Sequence, residues 1–181
     1  MKKTILLDVD EVLRDTISTV LDIYNRDFKP EKPVKVEDVN YWDLSRTLTK
    51  VKDPYQYFFV DRAEEVFLHS KPFEDNLEEI LRSINNRYNI HIVSNQPKGK
   101  EEYTLQWLND YKASYDDITF TPYKGKVNGD IALDDSVKNL DDYANNGKLP
   151  MVMDRPWNRE CKYPRVYDMN DFNRFLRENF G

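Results

Sequence analysis

Short apolar runs recur along the chain, and each stops at polar residues. Thr4-Ile5-Leu6-Leu7 ends on Asp8-Val9-Asp10, Ile90-His91-Ile92-Val93 on Ser94-Asn95, Ile131-Ala132-Leu133 on Asp134-Asp135, and Pro150-Met151-Val152-Met153 on Asp154. Ile118-Thr119-Phe120, ending near Thr121-Pro122, is a further candidate. Runs this short and this uniformly apolar predict parallel strands buried on both faces, with polar side chains presented at their C-terminal edge. Between them lie stretches of helical spacing: 74–87, with Leu77, Ile80, Leu81 and Ile84; 99–112, with Tyr103, Leu105 and Trp107-Leu108; and 136–146. The stretch 169–179 sets Phe172, Phe175 and Leu176 on one face, with Asn170 as its expected N-cap.

Strands alternating with helices predict an α/β fold, a doubly wound, mostly parallel sheet covered on both sides. In such sheets ligands bind beyond the carboxyl ends of the strands. Residues 16–72 break the rhythm, with a helix expected over 15–27, a turn at Pro30-Glu31-Lys32-Pro33, and aromatic clusters at Tyr41-Trp42 and from Tyr55 to Phe59. This stretch reads as a small helical cap inserted after the first strand, dividing the core into 1–15 and 73–181.

With 181 residues the chain suits one core plus a small insertion. Its formal charge of −6 sets the overall field against duplex nucleic acid, while leaving room for a small anion in a locally positive pocket. The single Cys161 excludes an internal disulfide and a cysteine-based zinc site, which fits a reducing, cytoplasmic setting. The apolar run that stops at Asp8 is too short for a signal peptide or membrane span. His69 and His91 fit neither a metal cluster nor a catalytic triad, and His91 is expected to pack within its strand.

Two carboxylates at a strand-to-loop junction can divide the work of phosphate-ester chemistry. Asp8 is placed to be nucleophile and magnesium ligand, and Asp10, swinging over the bound phosphate, to be general acid and base. The hexapeptide Asp8-Val9-Asp10-Glu11-Val12-Leu13 resembles the first motif of haloacid-dehalogenase-like phosphatases. Ile90-His91-Ile92-Val93-Ser94-Asn95 resembles their second, Lys124 their third-motif lysine, and Gly129-Asp130-Ile131-Ala132-Leu133-Asp134-Asp135 their acidic fourth. A narrower resemblance, to the cytosolic type C 5′-nucleotidases and 5′(3′)-deoxyribonucleotidases, rests on Asp15 after the first motif, Gln96-Pro97 after the second, Trp107-Leu108 on the next helix, and the tail Asp154-Arg155-Pro156-Trp157-Asn158-Arg159 with Arg165-Val166.

The resemblance implies a magnesium-dependent phosphomonoesterase that passes through an aspartyl phosphate, acting on a small phosphorylated substrate such as a nucleoside monophosphate. Asp8, the Asp10 backbone carbonyl and Asp135 would hold Mg2+, and Asp134 would orient a metal-bound water. Ser94, Asn95 and Lys124 would hold the phosphate. Lys126 is the rival for the lysine role, with Lys124 favoured by its spacing of ten residues to Asp134. Trp42, within a Tyr-Trp-Asp-Leu string resembling a cap motif of bacterial relatives, is a candidate for stacking on a base, although aromatic residues more commonly pack in a core. Glu11 stands where these nucleotidases usually carry Gly, and Arg14 where a small residue is common, so Glu11 is expected either to pair with Arg14 or to disturb the loop.

Singly, the motifs have ordinary structural readings: a helix-capping Asp pair, a solvated lysine, a turn at Ser94-Asn95. Their joint occurrence at strand ends, in order, favours the catalytic one. A sugar-phosphate or broad-specificity phosphatase, a non-catalytic phosphate-binding protein, and phosphotransfer to an acceptor other than water remain as alternatives.

Overall fold

A computed structural model describes residues 2–180; residues 1 and 181, the outermost of the expected core segments, lie outside it. The strands are β1 Thr4–Leu7, β2 Asn89–Ser94, β3 Asp117–Phe120, β4 Ile131–Asp134, β5 Leu149–Met153 and β6 Arg165–Val166. They form one sheet in the order β3-β2-β1-β4-β5-β6, with every pairing parallel. The chain winds outward from β1 to β3, then returns beside β1 and winds outward the other way. The reversal between β2 and β4 opens a crevice beyond the end of β1, the strand that leads into Asp8.

Alternation of side chains builds a core on each face. Ile5 and Leu7 of β1 join Ile90, Ile92, Leu133 and Met151 on one side, while Leu6 joins Val93, Ala132 and Tyr143 on the other. The helices are α1 Thr16–Phe28, α2 Ala63–His69, α3 Leu77–Asn85, α4 Glu101–Asp110, α5 Val137–Asn145 and α6 Met169–Phe180. On the first face α3 contributes Leu77, Ile80, Leu81 and Ile84, and α6 contributes Phe172 and Leu176. The expected N-cap at Asn170 is wrong: α6 begins at Met169, and the Asp168 side chain accepts from the Asp171 N–H at 2.7 Å. Asp168 precedes the helix and leaves its oxygen free to bend over the first turn, which Asn170, already inside, does not do. The two-residue β6 was not foreseen, because so short a run carries no periodicity.

The segment between β1 and α3 has an apolar cluster of its own. Val20, Leu21 and Tyr24 of α1 meet Phe58, Val66 and Phe67. α1 is capped by Asp15, whose carboxylate accepts from the Ser18 N–H at 3.2 Å. The aromatic cluster from Tyr55 takes up a π-helix, Tyr55–Asp61, with Phe58 turned inward and Tyr55 exposed. A wide turn of this kind re-aims side chains and is frequent at functional sites.

Gly129, just before β4, packs against the central strand so closely that a Cβ there would lie 2.6 Å from Leu6 Cγ and Cδ2. Leu6 is fully buried and has nowhere to move. Gly129→Ala is therefore expected to lower the unfolding free energy by about 1–3 kcal/mol, through overpacking. The check is the urea midpoint at constant slope; an unshifted midpoint would show that β1 and β4 can part freely.

Candidate active site

The carboxyl edge of β1 and β4 brings together charges that the sequence separates by more than a hundred residues. Asp8, Asp134 and Asp135 are all buried, and each offers one carboxylate oxygen within 4.8 Å of the others. Lys124, 2% exposed, reaches into them, its Nζ 2.6 Å from Asp8 Oδ2 and 2.8 Å from Asp134 Oδ2. Lys126, the rival, is exposed and lies over the Tyr123 ring.

The loop bearing Lys124 is fixed from behind. The Gly125 N–H donates to Asp142 Oδ2 at 2.7 Å, and Lys148 Nζ donates to the Gly125 carbonyl at 2.7 Å. A Cβ at Gly125 would fall 2.5 Å from Asp142 Cγ, so only glycine permits this approach. Asp134 is held on both oxygens: Oδ1 accepts from the Ser136 N–H at 2.9 Å, and Asn139 donates to both at 3.1 Å.

Asp135 is different. Its Oδ2 accepts from the Trp157 indole N–H at 2.8 Å, while its Oδ1 is buried with no hydrogen-bond partner among the described residues. A buried carboxylate oxygen left unpaired beside two further carboxylates is unfavourable by itself. It fits a hard divalent cation, which takes oxygen donors and offsets their charge. Burial pushes the Asp8 carboxyl well above the ordinary carboxylate range; Lys124 opposes this, and Asp134, Asp135 and Asp10 add to it. Burial likewise raises Asp135, with Asp134 and Glu11 contributing.

Asp10 lies in the next loop and faces other partners. Burial disfavours its ionised form, but the Arg14 charge and hydrogen bonds from Thr16, Arg14 and Gln96 outweigh this and hold its carboxyl below the ordinary value. Ser94, fully buried at the end of β2, accepts from Gln96 Nε2 at 2.9 Å, so its own hydroxyl hydrogen is left to donate elsewhere. The same amide donates to Asp10 Oδ2 at 2.7 Å. Asn95 is exposed on the wall of the cavity above.

Glu11 does not pair with Arg14. It occupies a left-handed backbone conformation with φ 59°, a position that favours glycine. Its buried carboxylate accepts from the Ile17 N–H at 2.7 Å and lies 3.6 Å from Arg155 Nε. Arg14 pairs with Asp10 instead, at 2.9 Å. The chain bends back at Glu11, and the left-handed turn aims its side chain toward the start of α1, away from Arg14.

Asp8, Asp10, Glu11, Gln96 and Lys124 line the floor of a cavity of about 660 Å3. Tyr41, Trp42, Tyr55 and Phe59 come from the inserted segment to form its walls, with Lys52 and Lys138 also present. Trp42 is 59% exposed, and its ring centroid lies 6.3 Å from that of Trp157.

Residues 2–177 match the family described as 5′ nucleotidase, deoxy (Pyrimidine), cytosolic type C protein. The chain belongs to this family. It is 24% identical over 185 residues to the 5′(3′)-deoxyribonucleotidase of Bacillus subtilis (strain 168), covering 97% of this chain and 99% of that protein. A putative 5′(3′)-deoxyribonucleotidase of Staphylococcus aureus (strain Mu50 / ATCC 700699) is 22% identical, covering 98% of this chain and 97% of that protein. The fold resembles that of L-2-haloacid dehalogenase from Xanthobacter autotrophicus, with TM-score 0.64 at 14% identity over 98% of this chain and 99% of that one.

Within this family member, sequence reasoning passed over Thr16, Gln96 and Trp157 as contributors to the site. Gln96 follows Ser94 by two residues beyond a strand end, a spacing that returns to the same side, and this was the available signal. Trp157 stands in the tail that carries the family resemblance, but its contact with Asp135 joins the ends of two strands and has no signal in the spacing. Among the described residues no helix is long and apolar enough to cross a membrane.

Because Asp8 and Asp135 are raised in the folded state, their contribution to the stability of the metal-free protein is fully present below the ordinary carboxylate range and is lost as pH rises through their folded-state values. A cation must displace those protons, so its affinity increases with pH. Mg2+ is expected to raise the melting temperature more at pH 7.5 than at pH 5.5. In EDTA at pH 7.5, Asp135→Asn is expected to melt above wild type and to have lost the response to Mg2+. Calorimetry of both proteins with and without Mg2+ checks this; equal Mg2+ responses would remove Asp135 from the ligand set.

Proposed function

We propose that the chain is a magnesium-dependent phosphomonoesterase acting on nucleoside monophosphates, with residues 16–72 as a cap over a core of 1–15 and 73–181. One observation carries the reading: the carboxyl group of Asp8 pairs with a buried lysine and faces two further carboxylates at the base of an aromatic-walled cavity. Family membership and the names of the relatives support the substrate class.

Asp8, Asp135 and the Asp10 backbone carbonyl would hold Mg2+, with Asp134 orienting a water beside it. The bound cation supplies charge neutralisation, without which a carboxylate could hardly approach a phosphate dianion. Lys124, Ser94 and Asn95 bind the non-bridging oxygens, and Lys124 does so while keeping Asp134 as its partner. An Asp8 oxygen attacks phosphorus as the bond to the ester oxygen breaks, and Asp10 donates a proton to that oxygen. Asp10 rests as the carboxylate, so it first takes a proton from solvent or from the phosphate monoanion as the substrate charge arrives beside it. In the second half Asp10 removes a proton from water, whose oxygen attacks phosphorus and breaks the Asp8–phosphate bond. Trp42 lines the wall as a stacking surface for a base. A reducing, cytoplasmic setting belongs to the proposal and rests on a chain with one cysteine.

The test is release of inorganic phosphate from a panel of nucleoside monophosphates and sugar phosphates, with Mg2+ or EDTA. Mg2+-dependent release favouring deoxynucleotides is expected, with Asp8→Asn lower by on the order of 10³-fold or more. Equal rates on sugar phosphates would sink the nucleotide assignment, and an Asp8→Asn enzyme of wild-type activity would sink the mechanism. Trp42→Ala is expected to raise KM for nucleotides about tenfold, a stacking-sized loss, and to leave KM for sugar phosphates unchanged. A KM that rises for both would make Trp42 a general wall residue.

A further inference from the structure

Arg14 is a fully buried cation, and four of the five N–H donors of its guanidinium find acceptors. Nε and Nη2 both donate to Asp10 Oδ1, at 3.1 and 2.9 Å. Nη2 also donates to Thr104 Oγ1 of α4 at 3.0 Å, and Nη1 to the Phe67 carbonyl of α2 at 3.0 Å. The group is held between two rings, its central carbon 4.9 Å from the Phe67 centroid and 5.2 Å from that of Trp107. A planar fork clamped this way has one orientation, which a lysine cannot reproduce.

The effect on Asp10 is asymmetric. Oδ1 receives Arg14 twice and the Thr16 hydroxyl once, which saturates it. Oδ2 receives only Gln96, at 2.7 Å, on the side of Ser94 and the cavity. We infer that Arg14 is a positioning residue that commits Asp10 Oδ1 to the protein interior, leaves Oδ2 as the atom that exchanges protons with the substrate, and ties this orientation to the inserted segment through the Phe67 carbonyl. The inference rests on the reading of Asp10 as general acid and base. In the first half-reaction the Oδ2 proton goes to the ester oxygen as its bond to phosphorus breaks; in the second, Oδ2 takes the proton of the attacking water. With Arg14 altered, the carboxylate rotates and presents either oxygen, or neither, to the leaving group.

A buried ion pair serving stability alone would affect all esters equally, whereas a misaligned acid matters in proportion to how badly the leaving group needs a proton. The experiment is a single-turnover measurement with Mg2+-loaded enzyme in excess, following release of the leaving group from a nucleoside 5′-monophosphate and from p-nitrophenyl phosphate. Following the leaving group isolates the first half-reaction from water attack. Arg14→Lys is expected to slow nucleoside release about 10²-fold, the scale of lost general-acid catalysis, and nitrophenolate release by less than about threefold. Thr104→Val, nearly the same shape, removes one anchor of Nη2 and is expected to slow nucleoside release alone, by about fivefold.

Equal losses on both esters, or no loss on either, would overturn the positioning role. If Arg14→Lys does not fold, Thr104→Val decides by the same comparison. A wild type that releases neither leaving group would overturn the phosphatase reading and the inference with it, whereas an active wild type with unselective variants overturns the inference alone.

Discussion

Three carboxylates and one ammonium group share a buried pocket at the end of β1 and β4, and the site depends on how their charges are balanced. Lys124 stands between Asp8 and Asp134 and offsets them both, which leaves Asp135 with an oxygen that no described residue satisfies. A buried negative surplus of this kind is costly unless a cation or proton joins it. The raised carboxyls of Asp8 and Asp135 express that surplus in one form, and affinity for a divalent ion would express it in another. The parallel sheet makes the arrangement affordable, because β1 and β4 pair in register and set both acidic termini side by side on backbone already anchored by the core.

The lysine belongs to the same constraint from the opposite side. Burial works against its charge, but Asp134 and Asp8 outweigh that and keep it firmly protonated. Its loop is clamped by Asp142 and Lys148 and does not rely on the ion pairs alone. Position matters because an ammonium group that drifted toward Asp134 would release Asp8 to repel an incoming phosphate.

Glu11 and Arg14, in the loop that carries Asp10, are both buried. Each finds a partner outside the loop: Glu11 in the first turn of α1 and in Arg155, Arg14 in α2 and α4. The loop after β1 is thereby fastened to α1, α2 and α4 and to the C-terminal tail. Trp157, in that tail, donates to Asp135 and lines the cavity beside Trp42.

What the sequence determined by itself was local or periodic. Each strand from β1 to β5 was legible because a buried parallel strand must be apolar throughout and must stop where its backbone meets solvent, as Leu7 does at Asp8 and Leu133 at Asp134. The helices followed from stripes such as Leu77, Ile80, Leu81 and Ile84, and the order of the motifs placed Asp8, Ser94, Lys124 and Asp135 on one edge. The cap of α6 was misplaced by two residues, since Asn170 and Asp168 are equally good capping types and only the path of the chain selects between them. Tertiary structure alone decided which charges meet. Arg14 choosing Asp10 over Glu11, Gln96 bridging Asp10 and Ser94, and Trp157 reaching Asp135 are contacts between elements brought together by the winding of the sheet. A left-handed turn at Glu11 reverses the side chain's direction, and no spacing rule in one dimension records that reversal.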